Sequence, residues 1–164
     1  MANIIMMCGI PGSGKSTYVE KHRGEHDLYI SRDLIRFSML EEGQEYFGKE
    51  KLVFDTFVKT INQALKVNSI ENIWVDATHI NPPSRYKILR RISKQYKSLK
   101  IIVMDIPLSV CIDRNNYREG RAKVPESAIN GMYKNFRMPT FEEGYNEIIT
   151  VDMYGNETRR NRNV

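Results

Sequence analysis

Short apolar runs alternate with amphipathic stretches along this chain, without repeats, low-complexity tracts or Pro/Gly/Ser linkers. Residues 3–8 (NIIMMC) have the pattern of a buried strand, and a Gly-rich loop and a helix over about residues 15–22 follow. A short strand near residues 28–30 leads into a helix from Asp33. Residues 49–67 predict a long helix, because Phe54, Phe57, Val58, Ile61 and Leu65 recur at helical spacing. Next come a strand at 72–75, with Trp74 expected in the core, a proline-started helix at 82–96 and a strand at 100–106. Helices near 108–117 and 125–136 follow. The second carries Ile129, Met132, Tyr133 and Phe136 as its apolar stripe, and Pro125 suits its first turn. Residues 147–151 predict a last strand. The remainder, ending RRNRNV, reads as a frayed tail whose Arg159, Arg160 and Arg162 stay solvated.

Strands this apolar, alternating with helices, predict an α/β fold with a central parallel sheet flanked by helices on both faces. In such sheets ligands lie beyond the carboxyl ends of the strands. The residues to weigh are therefore those just after each apolar run: 9–17, 31–36, 76–81 and 105–107. All four segments are expected to face one crevice.

The first of them, GIPGSGKST at 9–17, matches G-x-x-x-x-G-K-[ST] with Gly9, Gly14, Lys15 and Ser16 in the fixed places. Glycines let the backbone turn its N–H groups inward onto phosphate oxygens, and Gly9, Pro11, Gly12, Ser13 and Gly14 are expected to line that cradle. The helix beginning at Lys15, continuing through Ser16 and Thr17, adds the positive end of its dipole. Lys15 is expected on the β- and γ-phosphates of ATP, and the Ser16 hydroxyl on Mg²⁺. The fold class is then the three-layer P-loop NTPase fold. A guanine-reading N-K-x-D is absent from the sequence, which argues against a GTPase switch.

A kinase also needs a carboxylate within reach of the attacking hydroxyl. Asp33 in SRDLIR is placed for that, and Arg36, one turn on, could hold a phosphate. The plainer alternative is that Ser31 or Asp33 merely caps the helix. Asp76, ending the strand NIWV, is expected near the metal or the acceptor, with Asp105 after IIVM as its rival. His79 reads as a loop residue and not a base. Residues 114–123 (RNNYREGRAK) place Arg114, Arg118, Arg121 and Lys123 between two helices, with Gly120 as a pivot. They read either as a solvated basic loop or as a small lid whose arginines neutralise the γ-phosphoryl oxygens.

Bulk properties add little and exclude some classes. At 164 residues the chain suits one domain, here 1–152, followed by the basic tail 153–164. Lys plus Arg is 25 against 20 acidic residues, a net +5 that is compatible with a polyanionic partner. No apolar run approaches a membrane span, and the apolar start lacks the basic region of a secretory signal. Cys8 and Cys111 make no disulfide framework, so reduced, packed thiols and a cytoplasmic location are expected.

Taken together, GIPGSGKST, RDLIR, DATHINP, DIPLSVCIDRNNYREGRAKVP and MYKNF resemble the kinase domain of phage and bacterial polynucleotide 5′-hydroxyl kinases. That family lies in the adenylate-kinase-like group of P-loop proteins. The resemblance spans about residues 3–150 and implies a sheet with the P-loop strand at its centre. It implies Lys15 and Ser16 as phosphate and Mg²⁺ residues and Asp33 as general base. It further implies Arg36 and Asp76 at the acceptor, and Arg114 and Arg118 as lid arginines. The DATHINP and lid spacings are one residue longer than in the phage kinase, which leaves Arg118 and Arg121 as alternatives. No D-x-D-x-T phosphatase motif occurs, so the kinase half alone is implied. The expected reaction is transfer of the γ-phosphate of ATP to the 5′-hydroxyl end of RNA or DNA. A kinase of a small-molecule hydroxyl (nucleoside, sugar or antibiotic) and a non-enzymatic ATP-dependent binding module are the competing readings.

Overall fold

The computed structural model describes residues 1–163. Its elements run β1 (Asn3–Cys8), α1 (Lys15–His22), β2 (Leu28–Ser31), α2 (Arg32–Met39), α3 (Glu50–Ala64) and β3 (Asn72–Asp76). They continue with α4 (Pro82–Leu89), β4 (Leu99–Met104), α5 (Leu108–Asn116), α6 (Glu126–Lys134), β5 (Glu147–Val151) and β6 (Glu157–Asn161). The strands form one sheet in the order β2-β3-β1-β4-β5-β6, parallel except for the antiparallel β5–β6 pair.

Both faces of the central strands are covered, which is why β1, β3 and β4 are largely apolar. Along β1, Ile4, Met6 and Cys8 enter a core with Phe57, Val58 and Ile61 of α3 and Ile88 and Leu89 of α4. The intervening Ile5 and Met7 enter a second core with Tyr18 and Val19 of α1 and with Trp74. A third cluster, Ile10, Ile106, Cys111, Val124 and Ile129, anchors α5 and α6 beyond the strand ends. Helix, sheet, helix is the three-layer arrangement expected, with β1 between β3 and β4. Both cysteines are free and buried. None of the described helices is long and apolar enough to cross a membrane.

Two elements differ from expectation. α4 stops at Leu89 rather than near residue 96, because Asn62 of α3 supplies a substitute for helical bonding. Its amide donates to the Arg91 carbonyl at 3.1 Å and its oxygen accepts from the Ser93 N–H at 2.8 Å. The expectation of a frayed tail fails for residues 157–161, which add β6 to the sheet edge. The arginines of that strand are exposed, as expected, and a charged edge strand of this kind resists pairing with other chains.

Candidate active site

Sheet register brings the chemistry together. Ser31 lies beside Asp76 across β2–β3, and Asp76 beside Met7 across β3–β1, so three segments leave the sheet side by side. In the first loop, a Cβ on Gly12 would sit 2.4 Å from the Cys111 carbonyl oxygen, and its φ of 84° also demands glycine. Gly14, at φ 92°, precedes α1 and offers no side-chain acceptor. The first N–H groups of the helix are therefore left without a capping side chain. Ser13 Oγ is buried without a hydrogen-bond partner among the described residues. Open helix-end donors and an orphaned buried hydroxyl are what a phosphate group would satisfy. Lys15 meanwhile donates to the Gly9 and Ile10 carbonyls at 3.0 and 3.2 Å, folded against the loop it would leave for a γ-phosphate.

The loop stands between two clefts, of about 540 and 740 Å³, and Gly12, Gly14, Ser16 and Arg118 border both. The smaller holds Lys15, Asp33, Arg36 and Asp76. Here the capping question resolves: Ser31 Oγ accepts from the Leu34 N–H at 3.2 Å, which leaves the Asp33 carboxylate free of that duty. Asp33 instead accepts from Arg36 and from the Tyr46 hydroxyl, the latter at 2.8 Å, and its side chain is 52% exposed toward the cleft. Arg36 is buried beneath it, donating to Glu50 at 2.6 Å and lying over the Tyr46 ring. Glu50 also accepts from Arg32 at 2.9 Å. Asp76 is buried at the cleft floor and accepts from the Tyr29 hydroxyl. Burial raises its carboxyl above the ordinary range, against the opposing charge of Lys15. Its rival Asp105 is exposed and borders neither cleft.

On the other side, Arg114 donates to the Gly12 carbonyl at 3.3 Å and lines the larger cleft. Arg118 reaches both clefts, whereas Arg121 turns away and donates to the Phe37 carbonyl at the end of α2, 2.9 Å off. The far wall of the larger cleft is the β5–β6 turn, with Met153 and Tyr154. No group of three or more His, Cys, Asp or Glu suited to a metal occurs among the described residues. A magnesium ion needs none, since it takes few protein ligands beside phosphate oxygens. Ser16, at the junction of the clefts, and Asp76 are the groups that could hold one.

His79 is a structural residue. Its backbone is left-handed at φ 45°, its ring is buried, and its Nδ1 bonds the Met7 carbonyl at 2.6 Å. Fully buried Arg85 donates to the His79 carbonyl at 2.8 Å and pairs with Glu143 at 2.6 Å, which holds this turn under the phosphate loop. Burial pushes the His79 imidazole from an ordinary 6.5 down to about 4, so it is neutral in the folded chain. Between these two values the unfolded chain binds the extra proton, so stability falls as pH drops from 6.5 toward 4, by on the order of 3 kcal/mol for this group. His79→Asn keeps a residue tolerant of left-handed backbone. It should flatten that part of the pH dependence in urea unfolding at pH 7 and pH 4.5. Equal acid losses in both proteins would contradict this assignment.

Tyr29, Tyr46, Glu50 and the turn at 152–157 are site features that the sequence reading did not single out. Tyr29 could have been found, since it shares a strand face with Ser31. The turn carries a legible signal in Gly155-Asn156, reinforced by Asp152, which accepts from the Tyr154 and Asn156 N–H groups at 2.9 Å.

A phosphate cradle set between a nucleotide-sized cleft and a second cleft toward which the Asp33 carboxylate is exposed is the arrangement of a P-loop kinase. The chain belongs to the AAA domain family (AAA_33), whose model matches residues 4–139. It is 28% identical over 159 residues to a protein of Acanthamoeba polyphaga mimivirus named a bifunctional polynucleotide phosphatase/kinase. That match covers 92% of this chain but 33% of the relative, so the chain spans about a third of its length. Among solved structures, a chain of the Pnkp1/Rnl/Hen1 RNA repair complex superposes with TM-score 0.67 at 21% identity, covering 82% of this chain and 43% of that one. A sugar kinase from Janibacter sp. HTCC2649 superposes with TM-score 0.63 at 17% identity, covering 94% and 86%. At such identities the two superpositions establish the fold.

Proposed function

We propose that this chain transfers the γ-phosphate of ATP to the 5′-hydroxyl end of RNA or DNA. The observation that carries the proposal is the Asp33 carboxylate, which shares one cleft with Lys15 and Ser16 and is free of helix capping. The triphosphate lies on the N–H groups of the 9–17 loop with its nucleoside in the larger cleft. Lys15 swings from the Gly9 and Ile10 carbonyls to the β- and γ-phosphates. Ser16 would hold a magnesium ion, which when bound would neutralise phosphate charge. The acceptor hydroxyl donates its hydrogen bond to Asp33. As its oxygen bonds to the γ-phosphorus, the bond to the β–γ bridging oxygen breaks, ADP leaves, and the proton passes to Asp33. Arg114 and Arg118 meet the charge that accumulates on the transferring group. Asp76 holds its place beside the acceptor through Tyr29.

The polynucleotide acceptor is supported by the mimivirus relative's name and by the rim of the cleft, where Leu34 and Phe47 are 60% and 43% exposed. Apolar and aromatic surface beside buried arginines suits a stacked base. One observation favours a small neutral acceptor as the second reading: Arg36 already has two donors engaged by Glu50 and Asp33. A panel of acceptors with γ-labelled ATP separates the two. Label should move to 5′-hydroxyl oligonucleotides, with a KM that worsens steeply as salt rises, because phosphate contacts release counterions. Turnover with nucleosides or sugars and none with oligonucleotides would replace the first reading with the second.

A further inference from the structure

Outside the cleft, one face of the molecule gathers cations that phosphate transfer does not use. Phe54, buried in α3, is their hub. The Arg32 guanidinium lies 5.3 Å from its ring centroid, Lys87 Nζ 4.4 Å and the Arg91 guanidinium 5.3 Å. Arg32 borders the acceptor cleft. Arg91 borders a separate groove of about 380 Å³ that runs along α3 past Lys59, Asn62 and Lys66. One ring thus links, through the cations gathered on it, the acceptor cleft to a second groove.

The balance of charge on this line is one-sided. Glu50 takes Arg32 at 2.9 Å, and Asp55 takes Arg91 at 2.8 Å and Lys51 at 3.3 Å. Lys59, Lys66 and Lys87 are exposed, and among the described residues none has a carboxylate in ion-pair range. Cations grouped around one ring repel each other, and cation–π contacts offset only part of that. A polyanion laid across them would remove the repulsion and release counterions. A small acceptor lodged in the cleft would touch none of the three lysines.

We propose that this α3–α4 face is the track along which a single-stranded nucleic acid leaves the acceptor cleft, its backbone phosphates passing Lys87 and then Lys59 and Lys66. The proposal rests on the 5′-hydroxyl acceptor argued above. A single strand is specified because a 5′ end lodged in a cleft of about 540 Å³ leaves no room there for a paired second strand.

The test compares the wild-type chain with Lys59→Glu/Lys66→Glu/Lys87→Glu, using 5′-hydroxyl oligonucleotides of two and of twelve nucleotides. None of the three lysines borders either of the two clefts at the phosphate loop. The variant should raise KM for the twelve-nucleotide acceptor about tenfold or more and leave kcat and the dinucleotide KM within about twofold. Losing three phosphate contacts should also flatten the slope of log KM against log salt by roughly two, at about 0.7 per contact on a single strand. The neutral Lys59→Gln/Lys66→Gln/Lys87→Gln chain should shift the same parameters in the same order by less. An unchanged twelve-nucleotide KM and salt slope, with wild type active, would overturn the track while sparing the acceptor assignment. A wild-type chain that phosphorylates no 5′-hydroxyl oligonucleotide would overturn both.

Discussion

Replacing Lys15 with alanine should lower kcat by on the order of 10²-fold or more, about 3 kcal/mol of lost transition-state stabilisation. The ammonium group is the only side-chain cation on the loop itself, and it is the one poised at its mouth, bonded to the Gly9 and Ile10 carbonyls. Charge on the γ-phosphoryl oxygens is redistributed as the bond to ADP breaks. A group that follows that redistribution therefore acts more on the rate than on ground-state binding. The fold should survive, because Lys15 is itself partly exposed and only its two bonds to loop carbonyls are lost, about 1.5–3 kcal/mol each for a charged donor at most. Lys15→Arg should not restore activity: a planar fork cannot occupy the place of a compact ammonium in so tight a turn. Single-turnover transfer of labelled phosphate, with thermal unfolding as the folding control, measures the effect. A kcat within twofold of wild type would sink the cradle assignment.

The parts of this architecture that were legible in the sequence are those that rest on local patterns. β1 and β5 fall where their apolar runs fall, because strands covered on both faces carry near-continuous apolar stretches that stand out from their surroundings. The phosphate loop was legible because its glycines serve backbone geometry that few other residues can adopt. The remainder depends on partners distant in the chain. α4 ends early because of a side chain on α3, and no window of residues 82–96 contains that information. β6 lacks apolar alternation and exists through its pairing with β5, so composition read it as tail. The site behaves likewise. Asp33 and Asp76 were singled out as residues just after apolar runs. The Arg36–Glu50–Arg32 network was not, since Glu50 reads as one more charge on a helix surface until the fold puts two arginines beside it. Arg118 and Arg121, indistinguishable by spacing, point to different places: one to the clefts, one to the end of α2.

Asp33→Asn should cost about 10²-fold or more in kcat while leaving ATP affinity within about twofold, and this pairing of effects decides whether the chain is an enzyme at all. The substitution is nearly isosteric. Asparagine keeps an oxygen to accept from Tyr46, and Arg36 retains its 2.6 Å bond to Glu50, so the buried network has a charged partner left. Helix α2 keeps its cap, which comes from Ser31. The carboxylate's capacity to take a proton is what disappears. A general base contributes only while the acceptor oxygen attacks, so the loss belongs in kcat, with acceptor KM little moved and nucleotide binding by calorimetry unmoved. Asp76→Asn is the informative comparison, because Asp76 is buried at the cleft floor and bonded to Tyr29, whereas Asp33 is exposed toward the cleft. If Asp76→Asn abolished turnover and Asp33→Asn did not, the base would be reassigned to Asp76. If neither changed any property of a chain that binds ATP, the phosphate loop would be serving a binding module, and the cleft beside it would hold a ligand that is never phosphorylated.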